Sequence, residues 1–275
     1  MQANEIVAAF EAQQALASKP LPAPTTSEEA LALLKSDRLD AFAAVVAFID
    51  ARAGAKRDDA TVYADISLTA QVQLAWGEAE LMVAEILARN ATALEASVLV
   101  REHAGATDVA LATDRALVAD WRRTDEALRL LAVDHVATGA RNADGAVGLR
   151  PDDYMGYRVA ADAARLTNRW SRFEEFVARV EAVQPDSNGL RFLRGVQAWS
   201  QQSDAEVAVF QLRDAVDHDP DFIRALAWIV VVSPRGAAQQ AALRDLAAAS
   251  PDHQIVRWAG PGILASPLSS PKAAP

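Results

Sequence analysis

Along the second half of the chain, apolar residues recur every three or four positions in blocks that stop at short polar turns. YMGYRVAADAARL (154–166) is followed by TNR and then WSRFEEFVARVEAV (170–183). LRFLRGVQAWSQQ (190–202) leads through SD to EVAVFQLRDAVDH (206–218), and FIRALAWIVVV (222–232) through SPRG to AAQQAALRDLAAA (237–249). The spacing puts Phe192, Val196 and Trp199 on one side of one block, and Val207, Phe210, Ala215 and Val216 on one side of the next. That period belongs to helices rather than strands. Each pair of blocks predicts two helices joined by a tight turn.

A Pro-Asp dipeptide follows at the end of each pair. Pro151, Pro185, Pro220 and Pro251 each precede Asp, at intervals of 34, 35 and 31 residues. Proline cannot continue a helix and disfavours helical geometry in the residue before it, so each marks a helix end. The Asp that follows is expected to cap the next helix by accepting its orphan amide hydrogens. A repeat of this length and punctuation resembles the tetratricopeptide repeat family, whose pattern is W-x2-L-G-x2-Y, then A-x3-F, then P. Ala208-x3-Leu212 with Pro220 matches the second half, Trp199 takes the Tyr place and Phe192 the Trp place, while Gly195-Val196 replaces Leu-Gly. In the first unit Tyr157, Ala161 and Ala164 fall on the first helix, and Phe173-x3-Val177 with Pro185 on the second. Phe173 stands where a small Ala is usual and implies a looser approach. The third unit is three residues short, with Pro234 in its turn. The resemblance implies an all-α, right-handed α-solenoid of stacked antiparallel helix pairs.

Upstream, DVALATDRALVAD (108–120) and TDEALRLLAVDHVATG (124–139, with Ala127-x3-Leu131) read as another helix pair. GARNADGAVGLR (139–150) reads as a glycine-containing loop. RLDAFAAVVAFID (38–50) carries Leu39, Phe42, Val46 and Ile49 on one stripe, and Thr26 with Glu29 offers a capping box for the helix before it. Residues 63–90 are either one long helix or two joined near Gly77. The expected organisation is an N-terminal amphipathic helix (3–17) and Pro-rich linker within 1–26, degenerate helical hairpins over 27–150, tetratricopeptide-like repeats over 151–259 closed by HQIVRWA (253–259) as a cap, and a mobile Pro- and Ser-rich tail over 260–275.

Composition narrows the class. Of 275 residues 51% are apolar, dominated by Ala and Leu, and only 6% are aromatic, which favours helix over sheet. A net charge of −10 argues against nucleic acid and anionic membrane surfaces as partners. The absence of cysteine excludes disulfides, thiolate metal sites and a cysteine nucleophile. Neither AFAAVVAFID (41–50) nor IVVVS (229–233) is long enough to span a bilayer. With Met1 native and no signal peptide the chain is expected in the cytoplasm; with a signal peptide removed, in the periplasm.

The chain carries few residues in patterns that point to chemistry. His103, His135, His218 and His253 are scattered and read as solvated side chains rather than a metal site. No nucleophile elbow, zinc-protease motif or phosphate loop is present, and the glycines of 139–150 lack the Lys and the preceding strand such a loop needs. The expectation is a non-catalytic chain with no cofactor. In tetratricopeptide proteins the first helix of each pair lines a concave groove that holds a peptide or a partner helix. That resemblance singles out Arg158, Asp162 and Arg165 on the first unit, Arg194 and Gln197 on the second, and Arg224 and Trp228 on the third. Such a row of Arg would suit an acidic segment or a free C-terminus, since guanidinium grips carboxylate with paired hydrogen bonds. The same Arg residues could instead solubilise the groove or pair with Asp162 and nearby Glu, and Trp228 with Ile229–Val232 could be core. The chaperone-binding clamp of that family, built on Lys and Asn, is not reproduced by Arg158 and Asp162. Exposed apolar residues could also serve self-association into a homo-oligomer. A second expectation is a periplasmic accessory binding small molecules, because the architecture is similar to the lipid-anchored tetratricopeptide T-subunits of tripartite ATP-independent periplasmic transporters.

Overall fold

Every regular element of the computed structural model is helical, among the residues it describes: 21–52, 58–105, 109–151 and 153–259. The expected helix 3–17 and the tail 260–275 lie outside the described residues. None of the described helices is long and apolar enough to cross a membrane.

The repeat region is the most legible. It forms three consecutive pairs, α5 (Tyr154–Leu166) with α6 (Trp170–Val183), α7 (Asn188–Gln202) with α8 (Ala205–His218), and α9 (Ile223–Val232) with α10 (Ala237–Ala249), each within two residues of the blocks read from sequence. Within the second pair Arg191 bonds Asp214 at 2.7 Å, while Gly195 meets Leu212, so the two helices run antiparallel. Close packing there needs Gly195: a Cβ would lie 2.8 Å from Leu212 Cγ and 3.2 Å from the Ala208 carbonyl oxygen. The buried face of α8 is Ala208, Leu212 and Ala215, whereas Val207 and Phe210 are exposed. The expected stripe through Val207 and Phe210 is therefore corrected: the small residues at 208 and 215 let α8 approach α7, and the bulkier side chains turn outward.

The Pro-Asp signal marks helix ends, but Asp186 and Asp221 do not cap the helices that follow them. Helices stop at Leu149, Val183, His218 and Ala249, each two residues before the proline. A backbone bond then closes a β-turn around it, from Ser187 N–H to the Gln184 carbonyl (3.2 Å), Phe222 to Asp219 (2.9 Å) and His253 to Ser250 (3.1 Å), with the same bond from Asp153 to Arg150 (3.1 Å). Pro occupies the second turn position, where its fixed φ fits, and the turn leaves Asp one residue too early to cap. Ser187 is the cap of α7 instead, accepting from Leu190 N–H at 3.3 Å, and α9 has no side-chain cap.

The N-terminal half departs from short hairpins. α1 (Ser27–Leu34) starts with the expected capping box of Thr26 and Glu29, and α2 (Leu39–Arg52) follows. Then come two long helices, α3 (Asp59–His103, 45 residues) and α4 (Val109–Leu149, 41 residues). At 1.5 Å per residue they extend about 67 and 61 Å. They are antiparallel: Arg101 pairs with Asp114, Arg122 bonds Glu95, His135 bonds Gln73, and Gly139 lies against Leu74. Two sequence expectations are corrected here. Residues 108–120 and 124–139 do not form a pair, since α4 is continuous from Val109, and 139–150 is helix through Leu149 rather than a loop. Gly139 marks a contact, not a break. A Cβ on Gly139 would come within 2.6 Å of Leu74 Cγ, and one on Gly77 within 2.7 Å of Val136 Cγ2, so both let the two axes close up. The alternative left open at Gly77 resolves as one uninterrupted helix.

α3 packs against α4, α2, α5, α9 and a short π-helical turn at Ile255–Ala259. Its middle, from Leu68 to Ala91, therefore has no exposed residue, as expected of a helix covered by several others. The two ends of the described chain also meet. Asp37, in a left-handed turn (φ 53°) between α1 and α2, accepts from the fully buried His253 at 3.1 Å, and Arg38 pairs with Asp252 at 3.3 Å.

Candidate functional site

The residues singled out from sequence separate into three groups. Asp162, Arg165, Arg224 and Trp228 converge on a side chain that the sequence did not advertise, Glu78 of α3. Glu78 is 1% exposed and accepts hydrogen bonds from Arg165 and from Trp228 Nε1 (3.0 Å), and it pairs with Arg224. Asp162 Oδ1 accepts from Arg165 at 2.6 Å, and Asp162 Oδ2 lies 2.8 Å from Arg224 Nη2. Two carboxylates thus face two guanidinium groups. The planes of Trp228 and Phe192 add cation–π contacts, 5.9 Å from Arg165 and 5.0 Å from Arg224. Burial pushes the Arg224 guanidinium down to about 10, opposed by the charge of Asp37.

Arg194 and Gln197 belong elsewhere. Arg194 is exposed and pairs with Glu181 of α6, and Gln197 bonds Gln201 on its own helix at 2.9 Å. Neither reaches α3.

Arg158 makes up the third group. It lines a cavity of about 710 Å³ that Asp162 and Arg224 of the first group also line, bounded by α1, α3, α5, α7 and the turn before α9. Leu31, Leu34, Leu74, Val159, Phe192 and Phe222 supply apolar wall; Glu28, Lys35, Asp219 and Asp221 are its exposed charged members. Arg158 Nη2 donates to Gln71 of α3 at 3.3 Å, and its Nε is buried with no partner. The stem of Arg158 crosses α7 at Gly189, where a Cβ would lie 3.0 Å from Arg158 Cδ.

The register that makes these groups is simple. Arg158 meets Gln71 and Arg165 meets Glu78, a step of seven residues on both helices, so α3 and α5 run in the same direction along their contact. Seven residues are about two turns, which returns each side chain to the same face.

The histidines correct the solvated reading in two cases. His253 is fully buried, its Nδ1 accepting from Ile255 N–H at 3.2 Å, which leaves Nε2–H to donate to Asp37. His135 stacks on Trp76 at 4.2 Å and bonds Gln73 at 2.7 Å, and burial pushes its pKa below the usual value. His103 and His218 are exposed and bond backbone carbonyls one turn back. Among the described residues no group of three or more His, Cys, Asp or Glu is arranged to hold a metal ion. Glu78, Gln71 and Asp37 went unnoticed in the sequence. Only the seven-residue step between Gln71 and Glu78 could have pointed to any of them.

Comparison of the chain with protein-family models, with curated proteins and with solved structures returned no match.

Proposed function

We propose that the chain is a non-catalytic binding protein, built on tetratricopeptide-like helix pairs stacked as an α-solenoid, that holds a compact ligand in the cavity between α1, α3, α5 and α7. Three consecutive helix pairs punctuated at 34- and 35-residue intervals support the architecture. The observation that carries the ligand reading is the cavity itself. Its volume of about 710 Å³ falls within the 300–1,000 Å³ typical of ligand pockets, and apolar residues share its walls with convergent polar and charged groups. An extended partner laid along the first helices of the pairs has less support, since α3 of this same chain packs on α5 and α9. The acidic segment expected in the groove has an internal counterpart in Glu78. A pocket of this size favours the reading of a small-molecule-binding accessory protein over a long-peptide adaptor.

The test is ligand or partner recovery with the purified chain, by native mass spectrometry and by affinity capture. Arg158→Glu and Leu31→Trp, which change the charge and the volume of the cavity, are expected to reduce recovery. Arg194→Glu, on the far surface pair with Glu181, is expected to leave it unchanged. Equal recovery by all three variants would remove the cavity from the functional account.

A further inference from the structure

We infer that the cavity receives a small monocarboxylic acid with an apolar body, its carboxylate seated on Arg158. This rests on the ligand-pocket reading above and adds the chemistry of the ligand. Along the α3–α5 contact two arginines occupy equivalent positions seven residues apart, and the chain treats them differently. Arg165 faces a carboxylate, Glu78; Arg158 faces a neutral amide, Gln71, at 3.3 Å. Asp162, one turn beyond Arg158, is committed to Arg165 and Arg224. Among the described residues Arg158 therefore has no ion pair, and its buried Nε has no acceptor. A partly buried guanidinium without a counter-charge is costly, and a carboxylate is the group whose paired oxygens best match it.

The surroundings limit what that carboxylate can be attached to. Leu31, Leu74, Phe192 and Phe222 favour a hydrocarbon or aromatic body. Glu28, Asp219 and Asp221 outnumber Lys35 among the exposed lining residues, which disfavours polyanions such as nucleotides. Because α3 covers the faces of α5 and α9, a peptide has no extended path through the site, and a small acid fits it better.

Calorimetric titration of the full chain with octanoate, octanol, octylamine and an acetylated tripeptide bearing a free C-terminus tests this. Octanoate is expected to bind about 10- to 100-fold more tightly than octanol, the worth of one charge-assisted hydrogen-bonded pair. Arg158→Gln should remove that preference and leave octanol binding within about twofold of wild type. Gln71→Glu, which supplies Arg158 with an internal carboxylate and gives the chain no reason to unfold, should remove it as well. Octanol binding as tightly as octanoate would leave the pocket reading standing and overturn the carboxylate. Tighter binding of octylamine, or binding of the peptide in preference to octanoate, would also overturn it. If no probe binds the wild type at millimolar concentration, both the pocket reading and this inference fail.

Discussion

Replacing Glu78 by Gln should be among the most damaging isosteric changes available in this chain. The side chain keeps its shape, but one negative charge leaves a cluster in which Glu78 and Asp162 balance Arg165 and Arg224. Exposures of 1% for Glu78 and 4% for Arg165 leave water little room to compensate. Breaking a buried pair by removing one partner costs about 3–5 kcal/mol, because the other charge is stranded. For a chain of this size each kcal/mol lowers the melting temperature by roughly 2–4 °C, giving a fall of roughly 6–20 °C. Far-ultraviolet circular dichroism, by heating and in urea, reads both quantities. The charge argument makes a second demand. Glu78→Met combined with Arg165→Met leaves the neutral pair of Asp162 and Arg224, so the double variant should lose at least about 1 kcal/mol less than the two single variants together. A Glu78→Gln protein within about 1 kcal/mol of wild type, or strictly additive Met variants, would refute the cluster as a mutually compensating unit.

Three further outcomes check other parts of the structure. Gly139→Ala drives a Cβ into Leu74 and should cost about 1–3 kcal/mol, whereas Gly145→Ala meets only Ile66 at an ordinary 3.8 Å and should gain up to about 1 kcal/mol of helix stability; equal effects in urea denaturation would contradict the α3–α4 packing. Asp37→Ala strands the buried donor of His253, so hydrogen exchange should accelerate together in 27–38 and in 250–259; acceleration in one segment alone would show that the two ends are not coupled. The folded-state pKa of His135 is depressed by burial, so the unfolded chain takes up the proton first as pH falls through about 6.5, and stability present above that pH is lost below it. His135→Phe, which keeps an aromatic ring over Trp76, should show a smaller loss of stability between pH 7.5 and 5.5 than wild type, and an unchanged loss would refute the assignment.

The repeat half was legible because most of its helices have one buried and one exposed face, and each pair ends at a proline-bearing turn. Periodicity and punctuation then report the same boundary, and α5, α6 and α10 begin and end at the residues read from sequence. Where the two signals separate, the reading failed. Leu68–Ala91 of α3 has no exposed residue, only half-buried ones such as Gln73, Trp76 and Glu85, so its period is weak. In α4 Gly139 read as part of a break, because its contact with Leu74 of α3 cannot be seen locally. Glu78 looked like any carboxylate of an acidic helical protein until α5 and α9 closed around it. Asp37 and His253 bond across 216 positions of sequence, a distance over which no local pattern carries information.

The row of arginines expected from the repeat resemblance is best understood through α3. Reading from Arg165 to Arg158, α5 passes from a position where α3 offers Glu78 to one where it offers Gln71. At the first position the positive charge is spent on holding the long hairpin against the repeat pairs, together with Arg224 and Trp228. At the second it is not, and there the chain leaves a cavity rather than closing it with a side chain. Had position 71 also been acidic, both ends of the contact would be latches and α5 would have no charge to offer a ligand. One neutral residue in α3 thus separates the part of α5 that builds the fold from the part that the proposed ligand would use, which is why Gln71→Glu is the substitution that most directly tests their division.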